Sequence, residues 1–250
     1  VLLLSFHLGC AYSAVKIKKI QVTPENINAA NAKLREGDIL LAKKEFYPAL
    51  LRYLEASKLN PSSEIIYNKL GIAYSQLMLY REAIAALNTA IALNKHYAYA
   101  YNNLGSVHFA LRELRPAEKN FKRAIKLNPN VASFHQNLGA VYFEKKNYQH
   151  AKDEYRIALT LDKNVLSRSD AISLKAPGES QSNPMRNYQM AIIYASILQD
   201  VDKTIEHLKL AADQGYRVLD FVDKEPSFDP VRNDPRFKNF LEDLRILSLP

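Results

Sequence analysis

One cysteine, Cys10, stands in the 250-residue chain, so no disulfide can form within it. The six histidines are scattered and make no Cys/His cluster on which a metal site could be built. Catalytic signatures are also missing. No H-E-x-x-H, no G-x-S-x-G and no phosphate-cradling glycine loop occurs. These absences argue against an enzyme and against a bound cofactor or metal. Strand-like alternation is almost missing, whereas apolar residues recur at spacings of 3, 4 and 7, the pattern of an all-α fold. Hydrophobic content of 48% with 24% charged residues is ordinary for a soluble domain.

Glycine is scarce as well, with seven in the chain, yet Gly37, Gly71, Gly105 and Gly139 stand 34 residues apart. Two alanine series keep the same step: Ala49, Ala83, Ala117, Ala151 and Ala56, Ala90, Ala124, Ala158. Small residues at fixed offsets within a 34-residue period mark stacked helix–turn–helix hairpins. They also have a steric reason, since larger side chains would hold two crossing helices apart. On that logic Gly105 packs at the hairpin crossing of the third unit, near Ala117 and Ala124.

The second unit reads Tyr67-x2-Leu70-Gly71-x2-Tyr74, then Ala83-x3-Leu87 and Ala90. The third reads Tyr101-x2-Leu104-Gly105-x2-His108, then Ala117-x3-Phe121, Ala124 and Pro129. The fourth reads His135-x2-Leu138-Gly139-x2-Tyr142, then Ala151-x3-Tyr155 and Ala158. The first carries Lys33 and Glu36 at two normally apolar positions but recovers with Gly37-x2-Leu40, Ala49-x3-Tyr53, Ala56 and Pro61. This pattern resembles the tetratricopeptide repeat (TPR) family. It departs from it at Lys95 and Lys163, which replace the closing proline, and in the lack of any tryptophan. The resemblance implies a right-handed α-α superhelix, with four repeats over 30–63, 64–97, 98–131 and 132–163. It also implies a protein-binding scaffold whose partner is another protein or peptide.

Thr23 and Pro24 predict a helix start after a lead-in over 15–29. Asn60, Asn94, Asn128 and Asp162 mark the turns between repeats. Residues 164–184, rich in Pro, Ser, Gly and Asn, predict a loop. A degenerate fifth hairpin comes next over 185–214, with a turn one residue longer than in the first four and a helix stop at Gly215. The segment 215–250 resembles the ending of bacterial TPR proteins. The last hairpin has an apolar face with no next repeat to cover it, and Phe221, Phe228, Val231, Phe237, Phe240, Leu241 and Leu244 are its expected cover.

Location is read from the first residues. Val1–Ala11 is an apolar run too short to span a bilayer but of signal-peptide length, followed by Lys16, Lys18 and Lys19. It points to a signal peptide over 1–14 in a chain that starts further upstream, and to a periplasmic, envelope-attached or secreted bacterial protein. A cytoplasmic module of a longer signalling protein is the alternative. Cys10 follows Leu8-Gly9 and is either a lipid-anchor site, resembling part of a lipoprotein box, or part of a discarded signal.

The net charge of +8 lies in the repeats, where residues 30–161 carry 19 basic against 11 acidic residues. It is densest on the second helix of repeat three, at Arg115, Lys119, Lys122, Arg123 and Lys126. This basic face is a solvated surface or a dock for an acidic partner or anionic lipid. Nucleic acid is not expected, because no stacking aromatics interleave the run. In the family the first helices line a concave groove, which here would present Asn68, Ile72, Tyr99, Asn102, Asn103, Ser106, Phe109, Gln136, Asn137 and Phe143. Amides at that spacing can hydrogen-bond an extended backbone while aromatics accept its side chains. His108 and His135, at positions normally filled by core aromatics, read as core histidines rather than as bases or ligands.

Overall fold

A computed structural model describes residues 21–165 and 184–247. The signal-peptide and Cys10 expectations, and most of the loop expected over 164–184, lie outside them. The fold is all-α, and no strand occurs among the described residues. Contacts gather into two compact units, 1–107 and 108–250.

The first unit holds α1 (Pro24–Ala42), α2 (Phe46–Leu59), α3 (Glu64–Gln76), α4 (Tyr80–Leu93) and most of α5 (Ala98–Ala110). Thr23 caps α1 as expected, its Oγ1 accepting from Asn26 N at 3.3 Å, with Pro24 in the first turn. The second unit holds α6 (Leu114–Leu127), α7 (Ala132–Glu144) and α8 (Tyr148–Leu161). A fifth hairpin comes after them, with α9 (Pro184–Ile193) and α10 (Val201–Asp213), and then α11 (Leu219–Val222), α12 (Asp229–Arg232) and α13 (Pro235–Leu247).

Each of the first four hairpin turns is built the same way. Lys44, Met78, Arg112 and Lys146 all adopt positive φ, between 59° and 63°. The next residue donates its N–H to a carbonyl five residues back, from Glu45 to Leu40, Leu79 to Tyr74, Glu113 to His108 and Asn147 to Tyr142, each at 2.9 Å. This is the Schellman closure, which normally takes glycine at the left-handed position. Between hairpins, Oδ1 of Asn60, Asn94, Asn128 and Asp162 accepts from the N–H two residues on. The expected Asx turns therefore form.

All eight repeat alanines are fully buried. Three of the four repeat glycines have a large side chain of the second helix as their nearest neighbour. Gly37 meets Tyr53, Gly71 meets Leu87 and Gly139 meets Tyr155, the large residue 16 positions on, and the alanines are not their nearest neighbours. The first helix lacks a side chain there so that the second helix can lay a large one across it. The worn entrance of repeat one has an equally concrete account. Lys33 and Glu36 of α1 interlock with Arg52 and Glu55 of α2 at 2.8–3.4 Å, an ion-pair network at the positions that repeats two and three fill with Tyr67, Leu70, Tyr101 and Leu104.

In the fifth hairpin the extra residue does not lengthen the loop. It is absorbed by a π-helical turn, Tyr194–Leu198, closed by Gln199 at φ 52°, the form in which a helix accommodates a single insertion. Gly215, at φ +85°, ends α10 as predicted. The C-terminal segment buries Val218, Val222, Phe228, Val231, Phe237, Phe240 and Leu241 against Tyr188, Ile192 and Leu208 of the fifth hairpin, with Leu244 partly buried beside them. Phe221 differs from expectation. It is 49% exposed, because Val218 and Val222, one helical turn apart at α11, take the inward face.

Candidate functional site

The first-helix residues divide into open and closed positions. In the first unit Tyr99 is 48% exposed and Ile65 43%, while Ile72, Asn103 and Ser106 are half-buried. Asn68 and Asn102 are buried at 4% and 8%. They were expected to face a partner, and this is corrected by their bonding. Asn103 Nδ2 donates to Asn68 Oδ1 at 2.8 Å, and Asn102 Nδ2 to Asn103 Oδ1 at 3.4 Å. Asn68 thus points at the first helix of the next hairpin, and the amides zip these neighbouring repeats together. Beside them Lys69 Nζ meets Asp38 Oδ1 at 2.8 Å, and the same oxygen accepts from Tyr53 Oη at 2.7 Å. Burial and the hydrogen bond to Asp38 push the Tyr53 phenol far above its usual range.

In the second unit Phe109, Gln136, Asn137 and Phe143 are likewise buried. On α7 ten consecutive residues, Phe134–Phe143, are enclosed. α6 and α8 pack on it, and Met190 and Ile193 of α9 join its cluster. The expectation that these residues lie open is therefore corrected: all four are enclosed, and Met190 and Ile193 of the fifth hairpin's first helix share a core cluster with Phe109 and Phe143. Phe143 stands edge-on to Tyr148 with ring centres 5.3 Å apart. Gln136 Oε1 is buried without a hydrogen-bond partner.

His135 is 6% exposed and doubly bonded, Nδ1 to Glu154 Oε2 at 2.7 Å and Nε2 to Pro129 O at 2.9 Å. Both partners can accept, so the protonated ring, with its two N–H donors, is the form that satisfies both bonds at once. Its pKa is raised, chiefly by the Glu154 hydrogen bond. His108 is half-buried, 2.6 Å from Glu113 Oε2. Both histidines act as structural ties within or between helices.

On α6 the expected basic face is exposed at Arg115, Lys119, Lys122 and Lys126, with Arg123 half-buried. Glu118 offsets part of it, binding Lys122 at 2.6 Å and Lys145 at 2.7 Å. Burial pushes the Glu118 carboxyl up, but these two hydrogen bonds outweigh it and hold the pKa below the usual range.

One further feature left no mark in the sequence. A cleft of about 170 Å³ lies among α8, α9 and the segment before α12, lined by Phe143, Tyr148, Gln149, Lys152, Gln189, Ile192, Ile193, Glu225 and Ser227. Four separate stretches of chain contribute, so no local motif could announce it. No helix among the described residues is long and apolar enough to cross a membrane, and no cluster there could hold a metal ion.

Known proteins match this geometry. Profiles described as tetratricopeptide repeat match residues 65–97, 98–131 and 132–165, and one described as TPR repeat matches 37–77. No curated protein sequence matches. Among solved structures, pilF of Pseudomonas aeruginosa is 17% identical over 90% of this chain and 94% of its own, with a TM-score of 0.57. A thermophilic TPR protein of Thermus thermophilus is 22% identical over 81% of this chain and 99% of its own, with a TM-score of 0.55. At these identities the likeness is one of fold.

Proposed function

Since the chain belongs to the tetratricopeptide repeat family, we propose that it is a non-catalytic protein-interaction scaffold that holds a partner polypeptide along its first-helix face. The family is generally one of such scaffolds. The observation that carries the reading is the open part of that face in the first unit. Ile65 and Tyr99, at the same position of successive repeats, stay exposed beside half-buried Ile72, Asn103 and Ser106. Apolar footholds at a repeat spacing, next to amide and hydroxyl groups, suit an extended peptide. The paired amides act one step back by holding the two helices in register.

The N-terminal apolar run supports export to a bacterial envelope, where such a scaffold would work on an assembly outside the cytoplasm. Protein recovered from its native host should then start near Ala14, or at a lipidated Cys10. An intact Val1 on cytoplasmic material would refute export.

A second reading, docking of α6 onto an acidic partner or anionic lipid, rests on the exposed stripe Arg115, Lys119, Lys122 and Lys126. One experiment separates the two. Ile65→Ser/Tyr99→Ser and Lys119→Glu/Lys122→Glu/Arg123→Glu variants are compared with wild type in affinity capture from the native host, followed by direct titration of the recovered partner. The first-helix reading expects binding to fall in the Ser variant and to persist in the Glu variant; the opposite pattern overturns it.

A further inference from the structure

The second helices of the four repeats give an internal comparison for the charge on α6. Its 14 residues carry five basic side chains and one carboxylate, Glu118. Arg115, Lys119, Lys122 and Lys126 follow a 4-3-4 spacing, which sets them in one row along the helix, and all four are exposed. Among charged residues at the same positions α2 has only Lys58 and α4 only Arg81, while α8 pairs Arg156 with Asp153 at 3.2 Å. An outer helix at this place in a repeat therefore does not need such a row. The carboxylates around it do not cancel it. Glu118 is shared between Lys122 at 2.6 Å and Lys145 at 2.7 Å, and Glu113, just before the helix, lies 2.6 Å from His108. On α7 and α8, Glu144, Asp153 and Glu154 are taken by Arg112, Arg156 and His135. Even with Glu113 and Glu118 both charged, six cations stand against two carboxylates once Arg123 and Lys145 are included. Among the described residues no carboxylate pairs with Arg115, Lys119 or Lys126.

The row is one helix wide and about 16 Å long at 1.5 Å per residue. That shape is a line of charge, and the matching row on α8 in the same unit is neutral. A bilayer presents its charge as a plane, and surface helices hold to it with apolar side chains as well. No large apolar residue of α6 is among the exposed ones. We infer that the outer face of α6 docks an acidic helix of a protein partner, one with Asp or Glu at the same 4-3-4 spacing lying along the row. Two helices side by side share one rise per residue, so carboxylates at that spacing stay opposite the row over its whole length. The spacing reads the same in both directions, so either orientation of the partner helix meets it. A single exposed ion pair contributes little, which makes register matter as much as charge. The assignment rests on the second reading of α6 as a dock and is independent of the first-helix face.

The test titrates the full chain into fluorescent capped peptides of about 16 residues, built on one Ala/Gln helical framework and matched in helicity by circular dichroism. One carries four Glu at 4-3-4 spacing, and an isomer spreads the same four Glu around the helix. The registered peptide should bind at least fivefold more tightly than the isomer, with an advantage that shrinks as salt is added. Lys119→Gln/Lys126→Gln should abolish that advantage, and Ile65→Ser/Tyr99→Ser should keep it. Equal binding of the two peptides, or a preference that survives Lys119→Gln/Lys126→Gln, would overturn the helix assignment while leaving α6 a general acidic dock. No binding of either peptide would overturn the acidic-partner reading with it. Phosphatidylglycerol vesicles and a single-stranded oligonucleotide complete the comparison, and tighter binding of either one than of the registered peptide would overturn the choice of a protein partner.

Discussion

Gly71 on α3 offers the sharpest test of how the hairpins close. A Cβ built there would lie 2.7 Å from Leu87 Cδ2 and nearer still to Leu87 Cγ, a side chain that is itself fully buried. Two effects oppose each other in Gly71→Ala. Helix propensity favours alanine by about 0.5–1 kcal/mol, whereas forcing a methyl into a filled core costs about 1–3 kcal/mol. The steric cost should win here, because the obstructing atom is the branch point of Leu87 rather than a flexible end. The net expectation is a destabilisation of roughly 0.5–2 kcal/mol. Gly139 is an internal control: its Cβ would stand 2.9 Å from Tyr155 Cε1 and 3.0 Å from Cδ1, so a small tilt of the ring relieves it and Gly139→Ala should fall near zero. Both are measured by urea unfolding followed by circular dichroism. A second arm uses Leu87→Ala, which alone should cost about 2–5 kcal/mol. On the Gly71→Ala background that cost should shrink, giving a coupling of about 0.5–3 kcal/mol. Stabilisation by Gly71→Ala, as propensity alone predicts, or strict additivity with Leu87→Ala, would refute the packing argument.

Two other outcomes rest on the local geometry. Met78 is 74% exposed at φ 59°, so Met78→Gly should raise stability by about 0.5–1 kcal/mol by removing the left-handed strain of a side-chain-bearing residue; an unchanged or lower melting temperature would show that the strain is relieved elsewhere. His135 has a folded pKa above its ordinary 6.5, so its contribution is fully present below pH 6.5 and is lost as pH rises through the raised folded value. The stability difference between wild type and His135→Phe should therefore shift in favour of the variant as pH rises from about 5.5 to 9, and a pH-independent difference would mean that the ring is held neutral.

Much of this molecule was legible before any coordinates, because repeat architecture is written in local spacing. The 34-residue step of glycine and alanine, the Asn or Asp at each junction, Thr23-Pro24 and Gly215 each report a backbone requirement that a few neighbouring residues satisfy among themselves. Even most of the apolar residues that close the last hairpin could be named, since an uncovered face must be covered by the segment after it. Other features depend on side chains that arrive from far along the chain. Lys33 and Glu36 read as wear until Arg52 and Glu55 met them across the hairpin. The extra residue before Asp200 could be counted, but only the packed helix decided that it becomes a π turn. The left-handed residues Lys44, Met78, Arg112 and Lys146 carry no glycine to announce them, because the hairpin packing imposes the turn. The first-helix residues show the limit most clearly. Spacing placed Asn68, Asn102 and Gln136 on one face of their helices, and neighbouring helices then decided that this face is shut at those positions and open at Ile65 and Tyr99. Burial is a property of two surfaces, and one helix encodes only its own.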